Sequence, residues 1–314
     1  MRAMSACLRS LRPLLAACAM FGAALSAQTP APAPDPAADL VRQGQQKQRE
    51  GKPDEALALY RQALKVSPRS FAANNQIGAA LDLMGQYGEA RQHFAQAIEV
   101  ASSSQQKAQA QRSMAISYAF ENNCSEAAKY ELPVHESYLA EKDFYNAGEI
   151  ANELARICIE ADKLDEALKW YRIGWETGLR EPDIKPDRKD LWAFRWEHAQ
   201  ARVAARRGNK AEAQKHVDAA KAVLDRGTNP TQAPFFPYLV GYVAFYGGDY
   251  KTAVSELQKA NQTDPFILVL LAQSYEKLGD QAQATEYYKK VLTASSAHNP
   301  PNAFARPLAK KKLG

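Results

Sequence analysis

FAANNQIGAALDLMGQYGEARQHFAQAIEVASSS, residues 71–104, decides the fold. Ile77, Gly78 and Leu81 fall on one helical face, and Ala90, Phe94, Ala97 and Ile98 fall on another. Spacings of three, four and seven belong to amphipathic helices, not to strands. Met84-Gly85-Gln86 interrupts the pattern, where Gly tolerates the left-handed backbone that ends a helix. Each helix spans about 14 residues, roughly 21 Å. A pair this short cannot bury both of its faces, so the hairpin needs copies of itself on either side.

The copies are present. The signature is a turn residue, then Glu-Ala or a variant, an aromatic or Leu four residues on, and a small residue three further. The first unit has Gly51, Glu55-Ala56, Tyr60 and Ala63; the second has Gly85, Glu89-Ala90, Phe94 and Ala97. From Ala56 to Ala90 is 34 residues, and Ala127, Ala167, Ala213, Ala253 and Ala284 continue the series at gaps of 37, 40, 46, 40 and 31. Self-similarity of this kind marks a stacked repeat array. The turn positions of the later units hold Asn122, Asp162, Gly208, Gly248 and Gly279. The third unit departs furthest, with Glu131 in the aromatic place and Pro133 inside its second helix, where a kink is expected.

With Gly78, Leu81, Gly85, Tyr87, Ala90, Phe94 and Ala97 in register, the second unit resembles the tetratricopeptide repeat, and the likeness runs over about residues 37–298. The resemblance implies an all-α, right-handed superhelical solenoid of about seven helix-turn-helix repeats. It also implies that the first helix of each repeat lines a concave groove. Breaks in the array are expected near 178–187 and 227–237. Residues 299–314, with Pro300, Pro301, Pro307 and Lys310-Lys311-Lys312, read as an end cap running into a frayed basic tail.

Residues 1–27 carry three Arg and no acid, then an apolar run from Leu14 to Leu25 and small residues through Ala27. This is the pattern of a secretory signal peptide, and the run is too short for a membrane span. Export to a bacterial periplasm follows as the expectation. Leu15-Ala16-Ala17-Cys18 also resembles a lipobox, so anchoring through Cys18 as an outer-membrane lipoprotein assembly factor is the alternative. The very short apolar region before Cys18 favours plain cleavage. Residues 28–36 (QTPAPAPDP) are a Pro/Ala-rich linker. The formal charge is +5, but Arg2, Arg9 and Arg12 supply three of those charges, leaving +2 for the remainder. So near neutral a balance offers no argument for nucleic acid.

Catalytic motifs are absent. Ser104 to Lys107 and Ser274 to Lys277 match S-x-x-K, without the partner motifs that serine acylation needs. The five His (93, 135, 198, 216 and 298) sit on different repeats, show no metal-ligand spacing, and read as surface or lining residues. Neither an enzyme nor a cofactor or metal site is expected. If the turn before the fourth repeat lies near residue 145, the residue level with Cys158 is near 132, and Cys124 lies roughly 12 Å along the helix from it. Two buried thiols are therefore expected rather than a bridge. Trp170, Trp175, Trp192 and Trp196 are expected to wedge the loop between repeats four and five.

On the fifth repeat Arg195, His198, Arg202 and Arg206 make one basic line beside the core stripe. On the sixth, Tyr238, Tyr242 and Phe245 make an aromatic line, with Asn152 and Arg156 one repeat earlier than the Arg line. If the resemblance places these first-helix residues on the groove, the surface suits a protein or extended peptide carrying an acidic group or free carboxylate. The alternative is a solvated basic face with aromatics packed on the next repeat. The family's clamp of Lys and Asn in the first two repeats is not reproduced: Val41, Gln45, Asn75 and Ala79 stand there.

Overall fold

The computed structural model describes residues 36–314. The expected signal segment, nearly all of the Pro/Ala linker and Cys18 lie outside the described residues. Fourteen helices form seven antiparallel pairs in chain order: α1 (Pro36–Arg49) with α2 (Pro53–Val66), α3 (Phe71–Met84) with α4 (Tyr87–Val100), α5 (Ser104–Ala119) with α6 (Cys124–Ala140), and α7 (Phe144–Glu160) with α8 (Leu164–Gly178). Then come α9 (Pro186–Arg206) with α10 (Lys210–Leu224), α11 (Phe236–Gly247) with α12 (Tyr250–Leu257), and α13 (Pro265–Leu278) with α14 (Gln281–Thr293). A fifteenth helix, α15 (Pro300–Leu313), closes the series, and no strand occurs among the described residues. The chain is an all-helical solenoid of seven repeats.

The turns explain the pairing. All seven intra-repeat turns carry a residue in the left-handed region: Gly51 (φ 74°), Gly85 (93°), Asn122 (53°), Asp162 (59°), Gly208 (75°), Gly248 (83°) and Gly279 (83°). Where Gly is missing, the substitutes are the residue types that tolerate this geometry best. Side-chain caps start the next helix: Ser70 accepts from Ala73 N, Asn123 from Glu126 N and Asp280 from Gln283 N, satisfying donors that the helix cannot.

Close crossing needs a missing Cβ. A Cβ on Gly78 would lie 2.6 Å from the ring of Phe94, and one on Gly241 would lie 2.6 Å from Leu257. Phe94 is wholly buried, which contributes about 1.5–3 kcal/mol for such a ring. α6 continues through Pro133 from Cys124 to Ala140.

Three expectations are corrected. Cys124 and Cys158 form a disulfide, with Cα atoms 4.8 Å apart. The turn between α6 and α7 occupies residues 141–143, not 145, so the level of Cys158 falls close to Cys124 on the antiparallel helix. The C-terminal residues do not fray. α15 packs on α13 and α14 and also reaches α3, α5 and α7. Those last three, like α13, are first helices of their repeats, so α15 occupies part of the inner wall. Finally, one of the five His, His135, is neither a surface nor a cavity-lining residue. His135 and His198 are buried, and the His298 side chain is almost so.

Among the described residues, no helix is long and apolar enough to cross a membrane.

Candidate functional site

Two cavities open between the first helices of successive repeats. The first, about 350 Å³, lies between α1, α3, α5 and residues 296–298. Asn75 and Ala79 line it, with Gln48, Gln76 and Arg112. Its charge is spent: Arg112 donates to both carboxylate oxygens of Glu153, at 3.2 and 2.8 Å.

The second cavity, about 430 Å³, is bounded by α7, α8, α9, α11, α13, the 3-10 segment Pro230–Phe235 and the loop before α13. Six of the eight residues singled out in the sequence line it: Asn152 and Arg156 from α7, Arg195, His198 and Arg202 from α9, and Tyr238 from α11. Helical spacing explains the convergence. Residues 152 and 156 are one turn apart, as are 198 and 202, so each pair projects from one face.

Tyr242 and Phe245 do not reach the cavity. Tyr242 is wholly buried, with its hydroxyl 3.5 Å from Glu160 Oε1. Phe245 packs edge-on against Tyr246 and Tyr250. Here the packing alternative holds for the far end of the aromatic line. Residues without a sequence signal complete the walls: Glu149, Phe194, Phe235, Asp264 and Phe266. Several lie on linkers or outside the basic and aromatic lines, where no periodicity marks them.

The cations differ in what they already hold. Arg195 is in ion contact with Glu149, and its guanidinium stands over Trp192. Arg206, farther along the line, pairs with Glu160 at 3.3 Å and Asp162 at 3.2 Å. Arg202, 5% exposed, donates to the Tyr171 hydroxyl at 2.6 Å but leaves its Nε–H without a partner. The hydroxyl of Tyr238 is also buried without a partner. Arg156 is half-buried and has neither hydrogen bond nor ion pair among the described residues. The buried donors of Arg202 and Tyr238 cost free energy until an acceptor arrives.

Electrostatics follow from burial. His198 is held well below the ordinary imidazole range by burial, and then by Arg202, Arg156 and Arg195, so it is neutral at pH 7. Burial pushes the Tyr238 phenol up to about 12, which keeps it a neutral donor. Behind the cavity, burial raises the Glu160 carboxyl, against the pull of Arg206, Arg202 and Arg156. Such a site can bind and orient an acceptor-rich group. Among the described residues there is no cluster of His, Cys, Asp and Glu that could hold a metal ion.

The Trp residues brace the frame. Trp192 is fully buried against the close-packed Gly148 and Gly178. Its Nε1–H donates to Glu181 at 3.1 Å, which ties down the loop between repeats four and five. Trp175 and Trp196 stack with centroids 5.4 Å apart.

Models of the tetratricopeptide repeat match residues 41–110 and 267–298. Among solved structures, the apo form of RapI is similar over 82% of this chain and 97% of its own, at 15% identity and a TM-score of 0.52. A Podospora anserina putative kinesin light chain with nearly identical TPR-like repeats is similar over 63% of this chain and 99% of its own, at 17% identity and 0.51. A Rap protein complexed with competence and sporulation factor is similar over 82% and 74%, at 10% identity and 0.51. At these identities the likeness is one of fold. No curated protein matches the sequence.

Proposed function

We propose that this chain, a member of the tetratricopeptide-repeat family, is a non-catalytic binding scaffold whose partner is a protein or an extended peptide. The partner lies along the inner wall between repeats four and seven and offers an acidic group or free carboxylate to the larger cavity. The observation that carries this reading is Arg156. Its guanidinium has no partner among the described residues, yet it lines a 430 Å³ cavity built from several repeats. On the sequence of residues 1–27, the scaffold works in a bacterial periplasm. The lipid-anchored alternative through Cys18 is separated from it by the mass of the mature N-terminus.

The test is affinity capture from an envelope extract, with wild type and Arg156→Glu/Phe235→Ala as baits. A specific partner should be lost with the double variant while its circular-dichroism spectrum stays that of wild type. Capture of the same partner in equal yield by both baits counts against the inner wall.

A further inference from the structure

The ligand group can be narrowed from the charge and shape of the larger cavity; this step rests on the scaffold reading. Charge comes first. Arg195 is answered by Glu149, and Arg206 by Glu160 and Asp162. Arg156 and Arg202 have no carboxylate in ion-pair range among the described residues. The remaining acid on the wall is Asp264, which already caps α13 by accepting from Phe266 N at 2.8 Å. Of the groups that line the cavity, three guanidinium groups (Arg156, Arg195 and Arg202) face two carboxylates (Glu149 and Asp264), a surplus of one positive charge. With His198 neutral, a monoanion balances it and a dianion overshoots.

Hydrogen bonding points the same way. The Nε–H of Arg202 and the hydroxyl of Tyr238, on residues at least nine-tenths buried, are donors without acceptors. Arg156 adds a planar fork of donors. A wall this rich in unanswered donors calls for a group that only accepts.

Shape comes second. Phe194, Phe235, Tyr238, Phe266 and Ile267 form apolar walls around these donors. Phe235 is 52% exposed, one of three large apolar side chains so exposed among the described residues. It sits on a 3-10 segment that has no buried residue. An aromatic body in the cavity would cover it and bury flat surface on both sides. The volume is at the small end of the ligand range of about 300–1,000 Å³, which suits one side chain with its carboxylate rather than a folded element. A phosphate would leave these walls without a use.

We infer that the cavity recognises one carboxylate carried on an aromatic body of about one residue's size, present as a free acid or as the last residue of a chain.

The experiment measures binding to the full mature chain by calorimetry. The probes are 3-phenylpropionate, a hexapeptide ending in Phe with a free carboxylate, the same peptide amidated, and inorganic phosphate. Expected is binding of at least one carboxylate probe, with the amidated peptide weaker by about tenfold or more. Arg156→Gln should weaken the carboxylate probe to a similar degree, and Arg156→Lys should restore part of it. Tight binding of the small acid alone assigns a free acid, and tighter binding of the free-ended peptide assigns a chain end. Equal binding of acid and amide, indifference to Arg156→Gln, phosphate binding tighter than either carboxylate, or no binding by any probe overturns the inference. Should the partner capture described above still depend on Arg156 in that case, the scaffold reading stands without this ligand.

Discussion

The imidazole Nε2 of His298 lies 2.8 Å from a carboxylate oxygen of Asp82, across 216 residues of sequence. The other oxygen of Asp82 accepts from the Ser117 hydroxyl at 2.9 Å. Asp82 is 1% exposed, and the His298 ring also lies against Phe94 and Phe120. This contact, with Lys310 Nζ donating to Leu83 O at 3.1 Å and Gln48 donating to Ser296 O at 2.9 Å, fastens the C-terminal segment to the first two repeats.

His298→Ala leaves the Asp82 carboxylate buried with one partner. Breaking a buried pair from one side costs about 3–5 kcal/mol, so a large fall in melting temperature is expected at pH 7. The pH dependence has a definite sign. Burial already raises the Asp82 pKa against the lowering effect of His298 and Ser117. A raised carboxyl pKa means that the folded state binds the proton more tightly, so stability falls as pH rises through that pKa. Removing His298 enlarges this effect. The deficit of the variant should narrow as pH falls from 7 to about 4, and Asp82→Asn should recover part of it at pH 7. A deficit of equal size at both pH values would show that ring packing, not the contact with Asp82, holds the segment.

The disulfide closes a loop across a sequence separation of 34, for which loop entropy gives about 3–4 kcal/mol of stabilisation. Cys124→Ser/Cys158→Ser should melt well below wild type, and reductant should lower wild type toward it. Thiol counting on denatured, non-reduced residues 28–314 should find none; a full count of two contradicts the bridge.

Two glycines in one repeat should respond in opposite ways to Ala. Gly78→Ala drives a Cβ to within 2.6 Å of the Phe94 ring, which overpacks the helix crossing and should cost about 1–3 kcal/mol. Gly88, in the first turn of α4, has nothing within 4 Å of its would-be Cβ. Gly88→Ala should stabilise by about 0.4–1 kcal/mol. Denaturant midpoints of the two variants check both signs.

The groove line also divides. Tyr242→Ala removes a wholly buried ring and should cost about 3–5 kcal/mol, so any loss of binding in that variant reports on folding. Arg156→Ala removes a side chain that satisfies nothing and should leave the melting temperature within a degree or two while abolishing capture. A stable Tyr242→Ala protein would place that ring outside the core.

The repeat count and the turn sites were legible in the residues because they depend on local rules. Gly51, Gly85, Gly208, Gly248 and Gly279 end helices through their own backbone freedom, and Asn122 and Asp162 through short polar side chains. Spacing of Ala and aromatic residues set which faces pack. On the same helices, the lines Arg195, His198, Arg202 and Tyr238, Tyr242, Phe245 follow from periodicity, and the family resemblance implied their place, with Asn152 and Arg156, on the groove. Their division into paired and unpaired groups follows from neither. Whether Arg195 meets Glu149, or Tyr242 meets Glu160, depends on the relative placement of different repeats. The disulfide turned on a shift of a few residues in one turn, and one helical turn moves a side chain by about 5.4 Å. The inward course of α15 was beyond sequence reading altogether. Asp82 and His298 find each other only after every intervening repeat has added its own rotation, and that sum exists in the folded chain and nowhere along the string of residues.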